Sequence, residues 1–324
     1  MNTQIKYILV PLAIFVLATH CNSPSQIYHS LQPVIDGEWW QIAGNPELGA
    51  FTAEEQQPVD FGIWQAKDGT WQLWSCIRKT KEMGNTRLFH RWEGKSLFDR
   101  NWEPKGIAMR ADTTLGEQAG GMQAPYVLKH QNKYLMFYGD WNRICLAASE
   151  DGKNFQRIIR DGSPALFGDT LETNTRDAMV IRKNHEWYCY YTAHPNMDGR
   201  VFVRTSTDLI NWSESYVVAY GGQAGKGKLW YAECPFVAEP ETGHYYLFRT
   251  QSYGAVTNPP KTSIYHSTDL KNFGIDNDRG FVGTLEVAAP EIFKFENQWY
   301  IAALMPNIDG IRVAKLAWVP RETE

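Results

Sequence analysis

The sequence predicts an all-β chain folded as a five-bladed β-propeller with a central active-site cavity. Three observations lead there. A strand–turn–strand unit recurs five times, its turns carry hairpin residues, and helical periodicity is weak after the N-terminal apolar stretch. The units are VDFGIWQAKDGTWQLWSC from Val59, MQAPYVLKHQNKYLMFYGDW from Met122, TRDAMVIRKNHEWYCYYTAH from Thr175, AECPFVAEPETGHYYLFRTQ from Ala232 and AAPEIFKFENQWYIAALMPN from Ala288. Each contains a small residue or proline, an apolar run, a polar turn and an aromatic alternation, at a spacing of roughly 53 to 63 residues.

The turns are Lys67-Asp68-Gly69, Gln131-Asn132, Asn184-His185, Glu241-Thr242-Gly243 and Glu296-Asn297, which are hairpin signals between period-2 strands. A third strand follows in three units, ICLAASEDGKNF, VFVRTSTDLINW and TSIYHSTDLKNF, and ends in a shared Ser-x-Asp turn. Asp151, Asp208 and Asp269 of those turns cap their own backbone and are not catalytic candidates. Radial closure hides the strand edges of such a repeat. The last unit, ending IRVAKLAWVP, lacks an outer strand, and Glu38-Trp39-Trp40-Gln41-Ile42 is expected to supply it.

Composition narrows the function. The chain is 43% hydrophobic and 14% aromatic, a globular composition, and its net charge of −4 comes without a long basic run. Nucleic-acid binding by phosphate neutralisation is therefore not expected. Abundant aromatic rings suit both core packing and stacking against sugar faces.

The N-terminus, MNTQIKYILVPLAIFVLATHC, has the plan of a secretory signal peptide over residues 1–21, too short for a comfortable membrane span. Cys21 at its end is similar to a bacterial lipoprotein site, although Leu17 and His20 depart from the usual pattern. The expectation is an exported chain, with the membrane touched only through a lipid on Cys21. A tether and entry segment then covers 22–50 and the propeller 51–320. A monomer is expected. Cys76, Cys145, Cys189 and Cys234 are widely separated and show no metal-ligand spacing, so they read as buried thiols.

In a propeller the innermost strands start around one mouth, so residues far apart in sequence meet there. Asp60, Asp177 and Glu233 occupy such starts. Converging acids suit glycoside cleavage, in which one carboxylic acid protonates the leaving oxygen and a second carboxylate attacks the sugar or activates water. Crowding keeps one of them protonated near neutral pH. The same reasoning makes Gln123, Asp140, Trp141, Arg176, His194 and Arg249 candidates for substrate contact, with Arg78, Tyr253 and Trp230 behind them.

The five repeats, Arg176-Asp177-Ala178 and Glu233-Cys234-Pro235 together resemble the five-bladed propeller glycoside hydrolases, families 32 and 68 and families 43 and 62, over about residues 55 to 318. In family 32 an Arg-Asp-Pro motif carries a transition-state-stabilising aspartate and a Glu-Cys-Pro motif the acid/base glutamate. The resemblance thus implies that Asp177 is the stabiliser and Glu233 the general acid. The family's first-blade Trp-x-Asn-Asp-Pro-Asn pattern is absent. Pro58-Val59-Asp60-Phe61-Gly62 stands there instead, and Asp60 is the carboxylate available as nucleophile or base. The chain is closer in length to single-domain family 43 members.

A carbohydrate substrate is expected, and neither a cofactor nor a catalytic metal. Two rivals are a non-catalytic glycan-binding propeller of a polysaccharide-uptake system and a sugar phosphorylase using Arg78, Arg176 and Arg249 for phosphate. Gly222–Lys228 resembles a phosphate loop, but Leu229 follows where Ser or Thr is needed. It reads as a flexible loop beside the channel mouth.

Overall fold

The computed structural model describes residues 30–168, 172–254 and 258–321. The expected signal peptide, Cys21 and the residues up to 29 lie outside that set. Twenty-one strands build five antiparallel sheets. Strand β1 is Leu31–Gly44. The first blade comprises β2 (Gln57–Gln65), β3 (Trp71–Arg78), β4 (Leu88–Gly94) and β5 (Glu103–Met109). The second holds β6 (Gln123–His130), β7 (Lys133–Gly139) and β8 (Ile144–Ser149), with β9 (Gln156–Arg157) and β10 (Ala165–Phe167) both on β8. The third is β11 (Arg176–Lys183), β12 (Glu186–Ala193), β13 (Arg200–Ser206) and β14 (Tyr216–Ala219). The fourth is β15 (Glu233–Glu241), β16 (His244–Ser252), β17 (Lys261–Ser267) and β18 (Phe281–Leu285). The fifth joins β19 (Glu291–Phe295), β20 (Gln298–Leu304) and β21 (Gly310–Pro320) to β1.

The hairpins fall where the turn residues stand. Asn184-His185 and Glu296-Asn297 have positive φ at both central positions, the conformation whose twist matches the flanking strands. The Ser-x-Asp turns are structural as expected. Asp151 accepts from the backbone N–H of Lys153 and Asn154, and Asp208 from those of Ile210 and Asn211.

The ring is closed by the N-terminal strand, as the sequence suggested, but over a longer stretch. β1 pairs antiparallel with β21 from Leu31↔Pro320 to Gly44↔Gly310. The propeller thus starts at Leu31 rather than at residue 51, and much of the expected tether is its outer strand. Ile42 and Ala43 are fully buried in the core cluster that also holds Ile311 and Val313. The inner strands touch in the cycle β2–β6–β11–β15–β19–β2. They approach so closely that a Cβ on Gly62 of β2 would lie 2.4 Å from the carbonyl oxygen of Pro125 in β6. Burial of the inner two strands of every blade removes apolar area from water and holds the blades together. Cys76, Cys145, Cys189 and Cys234 are all free thiols, the first three buried.

Truncating the closing strand's core side chain tests this closure. Ile42→Ala should cost about 2–5 kcal/mol of stability, read as a lower midpoint in chemical denaturation. An unchanged midpoint would mean that β1 adds nothing to closure.

Candidate active site

Each inner strand begins with the same local distortion. Asp60, Ala124, Asp177, Cys234 and Ala289 all have positive φ, 26°, 40°, 59°, 46° and 48° respectively. In the first four blades the pairing register of the inner strand shifts across this residue, between Val59 and Phe61, Gln123 and Tyr126, Arg176 and Met179, and Glu233 and Phe236. A bulge of this kind re-aims side chains at the rim of a sheet, and left-handed backbone on non-glycine residues costs of order 1–3 kcal/mol each. Five repeats of that cost around one axis build a two-level mouth.

The upper level is a cavity of about 540 Å³ lined by Asp60, Arg78, Arg87, Gln123, Trp141, Asn142, Thr173, Asn174, Arg176, His194, Met197, Leu229, Trp230, Glu233 and Tyr253. The lower level is a small void lined by Asp60, Ala124, Asp177, Cys234, Ala289 and Glu291, among others. The three acids do not all face one cavity, as expected from the sequence, because Glu233 precedes its strand's left-handed residue whereas Asp60 and Asp177 occupy theirs. Glu233 and Asp60 face the upper cavity. Asp177 sits one level down, and Asp60 borders both.

Hydrogen bonds join the acids nonetheless. The Tyr253 hydroxyl lies 2.5 Å from Asp60 Oδ1 and 3.3 Å from Glu233 Oε2. Cys234 Sγ lies 3.2 Å from the same Asp60 oxygen and 3.1 Å from the Tyr253 hydroxyl. The backbone N–H of Cys234 donates to Asp177 Oδ2 at 3.0 Å. Arg176 donates to Glu233 Oε1, and its Nε lies 3.7 Å from Asp177 Oδ2. Sequence reasoning ranked Tyr253 low, yet it is the group that links the two cavity carboxylates. Its position at the end of β16, on the blade that carries Glu233, was the available signal.

Glu233 and Asp177 share the Arg176 guanidinium, and all three acids are less than a tenth exposed. Burial raises the Asp177 carboxyl well above the usual range. Arg176 opposes this and the charges of Asp60 and Glu233 reinforce it. Burial works against the Arg176 charge, but Glu233 and Asp177 offset it and hold the guanidinium above its ordinary value. Burial, then Asp60, pushes the Tyr253 phenol up, so it keeps its proton and donates it to a carboxylate. The Cys234 thiol is raised for the same two reasons and is no thiolate. His194, lowered by burial and by Arg176, is neutral at pH 7.

Several buried polar atoms around the mouth have no partner among the described residues. They include Gln123 Oε1, Asn174 Oδ1, Arg87 Nε and Asp177 Oδ1. Leaving such atoms unsatisfied costs about 1–3 kcal/mol apiece, and an arriving polyhydroxylated molecule would supply partners. Trp141 lies under the Arg87 guanidinium, 4.6 Å from ring centroid to Cζ. Trp230 and Met197 are exposed apolar surface at the rim.

Two expected substrate contacts are elsewhere. Asp140 is fully buried and accepts from the N–H groups of Asn142 and Arg143 and from the Arg143 side chain at 2.9 Å, so it caps a turn and does not line the cavity. Arg249 donates to the carbonyls of Tyr231, Gly221 and Gly225. It therefore anchors the glycine-rich loop and touches neither an acid nor the cavity. That loop is bonded further through Gly227 N–H to Asp198 and Lys226 to Asp276, so it is tied down rather than free. Gln123, Trp141, Arg176 and His194 do line the cavity.

Comparison with known proteins shows the family and the fold. The model of the glycosyl hydrolases family 32 N-terminal domain matches residues 67–239, more than half of the chain. The chain belongs to glycosyl hydrolase family 32. The matched span includes Asp177 and Glu233 and begins after Asp60, where the sequence also leaves the family 32 pattern. No curated protein matches the chain.

Among solved structures, a thermostable family-43 glycoside hydrolase is similar with a TM-score of 0.58 at 16% identity, covering 87% of this chain and 98% of that one. A Bombyx mori GH32 beta-fructofuranosidase mutant in complex with sucrose gives 0.60 at 17% identity, covering 86% of this chain and 62% of that one. The chain therefore spans about three fifths of the Bombyx enzyme. An endo-arabinase from Bacteroides thetaiotaomicron gives 0.57 at 13% identity, over 86% and 99% of the two chains. At these identities the likeness is one of fold: this family 32 chain has the five-bladed propeller of glycoside hydrolases.

The position of Asp177 sets a pH signature for the family 32 chain. Its folded-state pKa is raised, so its contribution to stability is fully present below the ordinary aspartate value and is lost as pH rises through the folded value. Asp177→Asn should therefore gain thermal stability relative to the wild type as pH rises from about 4 towards 8, with the difference vanishing at acid pH. Parallel pH–Tm curves for the two proteins would contradict the assignment.

Tyr253→Phe removes the hydroxyl between Asp60 and Glu233. A hydrogen bond to a charged group is worth about 1.5–3 kcal/mol, so kcat should fall roughly 10- to 100-fold with little change in KM. Steady-state kinetics of the folded variant checks this.

Proposed function

We propose that this glycoside hydrolase cleaves a glycosidic bond of a plant or microbial oligo- or polysaccharide by double displacement, with Asp60 as nucleophile, Glu233 as acid/base and Asp177 holding the charge and proton balance of the pair. The observation that carries the proposal is the single Tyr253 hydroxyl touching both Asp60 and Glu233. Two carboxylate oxygens 2.5 Å and 3.3 Å from one atom cannot be further apart than those distances laid end to end. That closeness of the two facing oxygens supports the retaining arrangement, in which the carboxyl groups lie nearest one another.

Asp60 accepts a hydrogen bond from Tyr253. It attacks the anomeric carbon, and the bond to the leaving oxygen breaks as Glu233 protonates that oxygen. Water then attacks the glycosyl ester, giving its proton to the Glu233 carboxylate and releasing Asp60. The proton that burial keeps on Asp177 lies one level below Glu233. Asp177, bonded to the N–H of Cys234, is placed below the sugar. Gln123, Asn174 and His194 are placed for sugar hydroxyls, and Trp141 with the exposed Trp230 for sugar faces. Export, with or without a lipid on Cys21, would put such an enzyme where polysaccharide is met.

The test is a reducing-sugar assay of the purified protein on a panel of furanosides, pyranosides and oligosaccharides. Glu233→Gln and Asp60→Asn should each lose roughly three orders of magnitude or more in turnover while keeping the wild-type melting behaviour. Full activity in either folded variant removes that residue from the role assigned here, and a product of inverted configuration in an NMR time course refutes double displacement.

A further inference from the structure

Three arginines line the upper cavity: Arg78, Arg87 and Arg176. Arg176 is occupied by Glu233. The other two have no carboxylate within ion-pair distance among the described residues. Arg78 donates from Nε and Nη2 to one neutral acceptor, Gln57 Oε1, at 3.0 and 2.8 Å. Arg87 lies over the Trp141 ring, and its Nε is buried without a hydrogen-bond partner. The pairing Ile77↔Leu88 at the end of β3 and β4 sets Arg78 and Arg87 beside one another across the two strands. Like charges opposite each other on a sheet destabilise it, and a guanidinium presents a fixed fork of donors that matches carboxylate, sulfate or phosphate oxygens.

From this juxtaposition we propose that the cavity wall formed by Arg78 and Arg87 is a subsite for an anionic substituent on the sugar, a uronate carboxylate or a sulfate ester, so that the enzyme acts on acidic glycans. Trp141 holds the Arg87 guanidinium in place from one side and leaves the opposite face and edge for the ligand. The acidic centre, Asp60 and Glu233, borders the same cavity. An anion can be tolerated there only at the end the arginines occupy, which fixes the orientation of the bound sugar. This identification rests on the hydrolase reading only in taking the bound molecule to be a glycan.

Calorimetric titration of the full chain with matched probes tests it. The pairs are glucose against glucuronate, galactose against galacturonate, and N-acetylglucosamine against its 6-sulfate, with inorganic phosphate as a separate arm. At least one acidic member should bind roughly tenfold or more tighter than its neutral partner, the scale of one charge-assisted hydrogen bond. The preference should shrink as salt is raised. Arg87→Met, which keeps an apolar stem over Trp141, should abolish the preference, so that acidic and neutral members of each pair bind alike, and leave the melting temperature unchanged. Arg87→Lys should restore part of it.

The uronate and sulfate arms separate the two sources of charge. Equal binding within every pair, no measurable binding of any acidic sugar, a preference that survives Arg87→Met, or binding of free phosphate alone would each overturn the proposal. Failure here with Glu233-dependent hydrolysis of a neutral glycoside leaves the hydrolase reading standing. Acid-selective binding without Glu233-dependent hydrolysis of any glycoside does the reverse.

Discussion

The left-handed residue at the start of every inner strand is the constraint on which the site depends. Inner strands crowd around the axis, and at Gly62 there is no room for even one methyl group against the facing carbonyl. Straight strands would run their first side chains alternately into neighbouring blades and into the axis. The bulge at Asp60, Ala124, Asp177 and Cys234 breaks that alternation, so two successive residues of one strand can both turn inward at different depths. Where the left-handed residue is alanine, in the second and fifth blades, the backbone cost is met without any titratable group. The distortion therefore belongs to the architecture, and the chemistry is a choice of side chains placed on it.

Two depths explain why three acids coexist. At one depth, Asp60, Asp177 and Glu233 would repel one another with a single arginine to compensate. Splitting them puts Asp177 under Cys234, where a backbone N–H meets one of its oxygens, and leaves Glu233 to Arg176. Tyr253 then ties Asp60 to Glu233 as a neutral donor, which adds a hydrogen bond without adding charge. Cys234 fits the same logic. A thiol is small and uncharged and its weak donor suits the Asp60 oxygen already held by Tyr253, whereas a further carboxylate at that level would raise the electrostatic cost.

Much of this was legible in the sequence because it is periodic. The repeat, the turn residues and the Ser-x-Asp motifs are local signals read within a few residues, and the closing strand was legible as the missing partner of IRVAKLAWVP. The identity of the acids was legible too, since strand starts converge in any propeller. What the sequence concealed was phase. Whether a residue before a bulge looks up or down depends on where the left-handed residue sits, and no motif marks that in Asp60-Phe61-Gly62. Long side chains concealed more: Arg249 and Arg78 both end second strands, yet one turns sideways into three loop carbonyls and the other into the cavity. Asp140 was misread because Asn142-Arg143, close by, offered it a turn to cap.

The position of the first acid also says which parts of the family's design are transferable. The match to family 32 starts at residue 67, after the strand bearing Asp60. Its neighbours supply what that pattern would otherwise need to hold. Ser75 donates to the Val59 carbonyl at 2.6 Å, fixing the strand just before the bulge. Tyr253 and Cys234, both from the fourth blade, fix the Asp60 carboxylate from outside its own blade. An aspartate oriented by other blades is held independently of its local sequence, so its position can persist while the residues around it change.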